Sequence, residues 1–413
     1  MKKLFALGAA AVLAMGLASC DQGGPSGEGK TIKLEYSGTG SNKEFNMELF
    51  EDFKAARKAA GDTNTYEITY VEHGPDKIDS EIVDWSSGPD VYEFASDKIT
   101  GLYEKGALAK VSGEFATFVK NSNSQLGVDL ATFNGSLYGY PYTGDNTYYL
   151  QYDKSRLSAD DVKSMETLLD KANSLGLKVG YNLKTAFWGS AAMFTFGADY
   201  SMTFDEDGSV KTITADFDSD KGLKAAKAIY NILKHPAWQD AMEAPTETNG
   251  LVACIAGTWD IAAYKKALGE NYACAPMPTV TVDGDTKNLG AFLGGKILGV
   301  NPQRGGSDVD RVVAAHQLAQ FLSNKECQLK RFDDQGVAPC NKEAAATDRV
   351  VNDPNVKVLI EQAAFAHAQT AVPSKFWDAP TAFIGGIVDG TITLDNLSAA
   401  VKNFNDLTVG ATN

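Results

Sequence analysis

The side chains able to do chemistry are few and scattered. The four histidines (His73, His235, His316 and His367) lie far apart, and neither HExxH nor CxxC occurs, so a zinc site on one helix or knuckle is excluded. Gly38-Thr-Gly40-Ser-Asn-Lys43 starts like a dinucleotide fingerprint, but Lys43 stands where the third glycine belongs. That loop reads as one that brings backbone close to something. Gly290-Ala-Phe-Leu-Gly-Gly295-Lys296 has most of a phosphate-binding loop. Ile297 then occupies the place of the magnesium-binding Ser or Thr, so a glycine-rich strand and turn is expected. Tyr148-Tyr149 resembles an iron-binding pair. Strand alternation explains it better, with Tyr148, Leu150 and Tyr152 on one face and Tyr149 and Gln151 on the other. No GxSxG nucleophile elbow is present.

The N-terminus is an address. Lys2 and Lys3 precede an unbroken apolar or glycine run of 14 residues, 4–17. A bilayer-spanning helix needs about 20, whereas a signal peptide needs fewer. The run ends in Leu17-Ala18-Ser19-Cys20, which resembles a bacterial lipobox, with residues 1–19 removed and Cys20 lipidated. Residues 20–30 then read as a flexible tether. The expectation is a body held by lipid at the extracytoplasmic face of a bacterial membrane. Export permits disulfides among Cys254, Cys274, Cys327 and Cys340; buried free thiols are the other reading.

With 413 residues, 44% hydrophobic, the chain has material for two or three domains. Lys plus Arg number 38 against 53 Asp plus Glu, a net −15, so a nucleic-acid partner would meet repulsion. Strands are expected at 31–36 and 66–71, and a helix carrying Phe45, Leu49, Phe50 and Phe53 lies between them. Helices are expected within 158–175, 222–233, 309–322, 356–366 and 394–404. The face of 222–233 carries Leu223, Ala226, Tyr230 and Leu233, and Ser323-Asn-Lys-Glu326 forms a capping box. The apolar run 251–256 reads as a buried parallel strand. Such alternation means α/β layers on mostly parallel sheets.

Six segments in order carry a resemblance over residues 30–409. They are Val71-Glu-His73-Gly-Pro-Asp-Lys77; Ser87-Gly-Pro-Asp90 running through Phe94 to Asp97-Lys98; Asn134-Gly-Ser-Leu-Tyr-Gly-Tyr-Pro141; Ile255-Ala-Gly257-Thr-Trp259; Gly336-Val-Ala-Pro339; and Phe376-Trp377. Together they resemble the family-1 extracellular solute-binding proteins of ABC importers, in particular those that bind malto-oligosaccharides. The resemblance implies a two-lobe periplasmic-binding fold of type II, with a ligand cleft and crossings near 142–146, 288–293 and 337–341. One lobe would be 31–143 plus 291–338, the other 144–290 plus 339–413.

It also implies the ligand set. Phe94, Phe187, Trp259 and Trp377 stand at stacking positions, Asp97 and Asp145 at hydroxyl-binding acids, and Lys77, Asp79 and Thr39 at the cleft rim. Sugars ask for such a site, with flat rings against CH faces and carboxylates for hydroxyls. The family's first-loop Asp-Lys is Thr39-Gly40 here, and its cleft arginine is Thr381. In the implied fold Cys254 and Cys274 fall on neighbouring parallel strands and are expected to pair, as are Cys327 and Cys340. A monomer without cofactor or metal is expected, whose partners are a sugar and an ABC permease. Two alternatives stay open: a binding protein for a non-sugar solute, and a surface glycoside hydrolase using Asp97 and Asp145.

Overall fold

The computed structural model describes residues 29–410. The signal peptide, the lipobox Cys20 and most of the tether lie outside the described residues. Two lobes each hold one five-stranded sheet. The first strand, Thr31–Gly38, alternates, burying Ile32, Leu34 and Tyr36. The helix Lys43–Ala59 lays Leu49, Phe50 and Phe53 over it. The sheet of this lobe runs Thr65–Glu72, Thr31–Gly38, Val91–Ala95, Lys296–Val300, Tyr140–Pro141. In the second lobe the order is Trp238–Gln239, Lys178–Tyr181, Leu251–Gly257, Tyr148–Asp153, Tyr272–Ala275.

Neither sheet is wholly parallel: in each, four strands run one way and one runs against them. Thr31–Gly38 is parallel to both of its neighbours, but Lys296–Val300 runs antiparallel to Val91–Ala95 and to Tyr140–Pro141. Likewise Leu251–Gly257 is parallel to Lys178–Tyr181 and antiparallel to Tyr148–Asp153. The reason is the crossing. A strand built from a lobe's own βα units runs toward the hinge side. A strand that has just come over from the other lobe starts there and runs away from it.

The acid of the Gly-Pro-Asp motif is structural. Asp90, 2% exposed, takes a two-pronged bond from Arg311, Nε to Oδ1 at 2.7 Å and Nη2 to Oδ2 at 2.8 Å, while Oδ2 also accepts the Glu35 N–H. This pins the helix Val309–Leu322 to the sheet. The next helix, Lys325–Gln335, is capped by Asn324, whose side chain accepts from Cys327 N, rather than by Ser323; the Ser323 hydroxyl bonds back to Gln320. Of the face expected on Asp220–Lys234, Ala226 and Leu233 are buried while Leu223 and Tyr230 lie at its margin; the buried set extends instead to Gly222, Ala225, Ile229 and Ile232. Gly222 lies close against the preceding loop, where a Cβ would stand 1.8 Å from the Phe217 carbonyl oxygen.

Three chain segments meet at the hinge. Asn146 and Gly294 exchange backbone hydrogen bonds of 3.0 and 2.9 Å, and Gly144 N donates to Ala338 O at 3.1 Å. Phe292–Leu293 pairs in parallel with His367–Ala368. Ala291 and Phe292 pack in the core of the second lobe and Ile297 in that of the first, so the chain passes between lobes at Gly294 and Gly295. The lobes touch again where the hairpin of Tyr200–Phe204 and Val210–Ala215 puts Phe204 on Phe133, ring centroids 4.8 Å apart.

All four described cysteines are free thiols, which corrects both expected disulfides. Cys254 and Cys274 both pair with Gln151, from opposite sides of the strand Tyr148–Asp153. They are thus two strand spacings apart, roughly 9.5 Å, beyond the Cα separation of about 7 Å that a disulfide spans. Cys327 lies in the apolar core of the first lobe, whereas the Cys340 thiol donates to Asn123 Oδ1 at 3.3 Å. Burial pushes the Cys254 and Cys327 thiols up to about 12 and Cys274 up to about 11, so none is a nucleophile at neutral pH. Thiol titration of non-reduced protein is expected to find four free sulfhydryls after denaturation, few of them reactive before it, and a melting temperature that reductant does not lower. A cystine peptide in a non-reduced digest would contradict this.

Candidate functional site

One wall of the site is aromatic and grows from the second lobe. The strand Leu251–Gly257 is buried throughout and ends in a short 3-10 turn, Thr258–Asp260. Gly257 lets the next ring fold back over the backbone, since a Cβ there would come within 2.2 Å of the Trp259 indole. The indole is 42% exposed, which is costly for so large an apolar surface unless something covers it. Phe187 and Trp188, on the helix Ala186–Ala191, each lie 6.2 Å from it. Trp188 stacks on Tyr148 at 5.3 Å, and Phe187 stacks on Phe292 at 5.5 Å. Trp377 also lies against Phe292, ring centroids 5.5 Å apart. Phe187, Trp259 and Trp377 therefore share one wall, which rests on Phe292 of the hinge.

The acid side grows from the first lobe. Asp97 sits in the 3-10 turn Ser96–Lys98 that ends the strand Val91–Ala95. Its side chain is only 6% exposed, and burial pushes its pKa up to about 6, with Lys98 at 3.8 Å pulling the other way. Gln369 Nε2 donates to its Oδ1 at 2.8 Å. Asp79 lies on the far side of Lys98, at 3.9 Å, while Lys77 is exposed on the turn before it. Thr39 is half-buried, its carbonyl accepting the Tyr70 hydroxyl at 2.6 Å.

Two expected ligand contacts go elsewhere. Phe94 is fully buried in the core of the first lobe, opposite Ile297, and its ring faces Tyr92 rather than the cleft. Both faces of its strand are covered, so its aromatic side chain is spent on packing. Asp145, 4% exposed, accepts from Ala338 N with Oδ2 at 2.7 Å, and its carbonyl accepts the Thr258 hydroxyl at 2.6 Å. It staples the first crossing to the third. Burial raises its pKa, against the pull of Lys296 and the Ala338 N–H. A carboxylate so enclosed is not placed beside a glycosidic bond.

Residues not singled out in the sequence also matter. Trp188 and Phe292 complete the wall, Gln369 holds Asp97, and Asp260 follows Trp259 with a buried Oδ2 that has no hydrogen-bond partner among the described residues. Burial raises the Asp260 pKa. The adjacent Phe187-Trp188 aromatics were a readable signal; Gln369 carried none. Tyr148 and Tyr149 lie in separate clusters, Tyr149 donating to Asn355 Oδ1 at 3.1 Å, as alternation requires. Among the described residues, no group of three or more His, Cys, Asp or Glu forms a metal site.

Comparison with known proteins bears on the family and the fold. A maltodextrin-binding protein, MdxE of Bacillus subtilis strain 168, is 27% identical over 321 residues, 72% of each chain. A structure solved with acarbose is 28% identical, with a TM-score of 0.78 over 92% of this chain and 99% of that one. A maltodextrin-binding protein of L. casei BL23, solved without ligand, shares the fold at 24% identity and a TM-score of 0.77, over 92% of this chain and 99% of that one. Residues 48–358 match the family described as bacterial extracellular solute-binding protein, and the chain belongs to that family.

Proposed function

We propose that this protein is the receptor of an ABC importer. It captures a malto-oligosaccharide between its lobes and presents it to a membrane permease, held at the extracytoplasmic face by lipid on Cys20. The observation that carries the reading is the exposed Trp259 indole, set with Phe187 and Trp377 in one aromatic wall across the hinge from Asp97. Rings of this kind take the CH faces of a glucose unit, and a buried acceptor such as Asp97 or Asp260 takes its hydroxyls. The names of the relatives, maltodextrin-binding and solved with acarbose, point to the same ligand chemistry. Lys77, Asp79 and Thr39 would border the entrance. Handing over intact sugar needs no proton donor and nucleophile facing one bond, and Asp145 is engaged with the Ala338 N–H.

A thermal-shift series with glucose, maltose, maltotriose and longer malto-oligosaccharides tests this. A cognate ligand at 100 times its Kd adds about 2.7 kcal/mol of stability. No shift with any of them would reject the ligand class, and shortened products after incubation would reject transport in favour of hydrolysis. By calorimetry, Trp259→Ala and Trp377→Ala are each expected to cost about 2 kcal/mol of binding while leaving the unliganded fold nearly as stable. Unchanged affinity in both variants would remove the aromatic wall from the site.

A further inference from the structure

Gln369 occupies an unusual place. It follows the hinge strand His367–Ala368 and is 2% exposed. Its backbone is held from both sides, its N–H donating to Leu293 O at 2.9 Å and its carbonyl accepting the Ser96 hydroxyl at 2.6 Å. The side-chain amide is used at both ends. Nε2 donates to Asp97 Oδ1 at 2.8 Å, and Oε1 accepts from Asn146 Nδ2 at 2.8 Å. Asn146 is itself paired with Gly294 through the backbone, and a Cβ on Gly294 would come within 2.4 Å of Gln369 Oε1, so a larger residue there would displace this amide. The direction of the amide is set by chemistry. An ionised carboxylate can only accept, so Nε2 turns to Asp97 and Oε1 is left to accept from Asn146 Nδ2.

We propose that Gln369 is a positioning residue for ligand capture: it holds Asp97 as an oriented acceptor and ties that carboxylate to the two hinge segments at Asn146 and Gly294. With Oδ1 occupied by Gln369, Oδ2 is the oxygen left for a ligand hydroxyl, and it stays at 3.8 Å from Lys98. The amide also opposes what burial does to Asp97, because a donated hydrogen bond favours the charged form. The other charged or titratable groups facing Asp97 are Lys98 on its own turn, Asp79 and Asp76 from the preceding helix and loop, and Tyr200 from the hairpin of the second lobe. Lys98 approaches Oδ2, at 3.8 Å, and Gln369 is the side chain that donates to Oδ1. Because the relay ends on hinge backbone, a shift of the lobes moves the acceptor with it.

The inference deepens the proposed function, since Asp97 matters only if the cleft takes a hydroxylated ligand. The test compares the wild type with Gln369→Met, which keeps length without a donor, and with Gln369→Glu, which keeps the acceptor for Asn146 but sets a second carboxylate against Asp97. Maltotriose affinity is measured by calorimetry from pH 5 to 8, and the Asp97 carboxyl is followed by carbon NMR in ligand-free protein, assigned with Asp97→Asn. Wild-type affinity is expected to fall as pH drops through about 6, where Asp97 takes up its proton. In Gln369→Met affinity at pH 7.5 is expected to fall about tenfold, the loss of one charge-assisted bond, and the midpoint of the pH profile to move up. In Gln369→Glu the midpoint moves further, because two adjacent carboxylates cannot both ionise.

A structural role alone would lower the melting temperature without moving the midpoint. Superimposable pH profiles in wild type and Gln369→Met would overturn the proposal, as would a moved carboxyl midpoint with unmoved affinity. If wild type binds no malto-oligosaccharide, the ligand reading fails by itself, and the NMR midpoint in ligand-free protein still decides the relay: raised in both variants supports it, unchanged overturns it.

Discussion

The cleft depends on how closely three chain segments approach one another at the hinge. Asn146 and Gly294 lie backbone to backbone, a Cβ on Gly295 would sit 2.4 Å from the Thr143 carbonyl oxygen, and a Cβ on Gly290 would sit 2.2 Å from that of Ala191. Side chains at Gly294 and Gly295 would force the crossings apart and break the hydrogen bonds that join them, and one at Gly290 would push the incoming segment off the helix that carries Ala191. The glycine-rich run that resembled a phosphate loop is therefore a close-packing device. Its narrowness also makes it a hinge, since a few residues absorb the dihedral change while each lobe keeps its own core.

The two halves of the site are anchored to the same short ladder, Phe292–Leu293 with His367–Ala368. The aromatic wall rests on Phe292, and the acid is held by Gln369, one residue past the ladder. Neither half is a complete site. A sugar needs stacking on one face and acceptors at its rim, and these come from different lobes. In the proposed reading, binding favours whichever lobe arrangement brings both to the ligand, and covering Trp259 contributes to closure. The exposed indole and the buried acids are two sides of one design: surface left open for the ligand, and charge kept dry until a hydroxyl arrives.

Much of this was legible in the sequence, and the limits have physical causes. The helix at 309–322 and the strand at 31–36 follow from local periodicity, which tertiary context did not override. The ordered motifs identified the family, and with it the two lobes, and they supplied Trp259, Trp377 and Asp97 as the residues on which the proposed site is built. Phe94 went wrong because alignment transfers a position but not its surroundings; here both faces of its strand are covered. The cysteine pairing went wrong because strand order in the second lobe is set by where the chain comes over from the first, which places Tyr148–Asp153 between the two cysteines. Gln369 was invisible because a glutamine in a short irregular stretch has no periodicity or motif, and its meaning comes only from what three distant segments bring to it.

The account's central claim is that ligand draws the aromatic wall and the acid together through this hinge. Small-angle scattering of the protein with and without saturating maltotriose tests it most directly. The account predicts a smaller radius of gyration in the bound state; an unchanged value at saturation, with binding confirmed in the same sample, would contradict it.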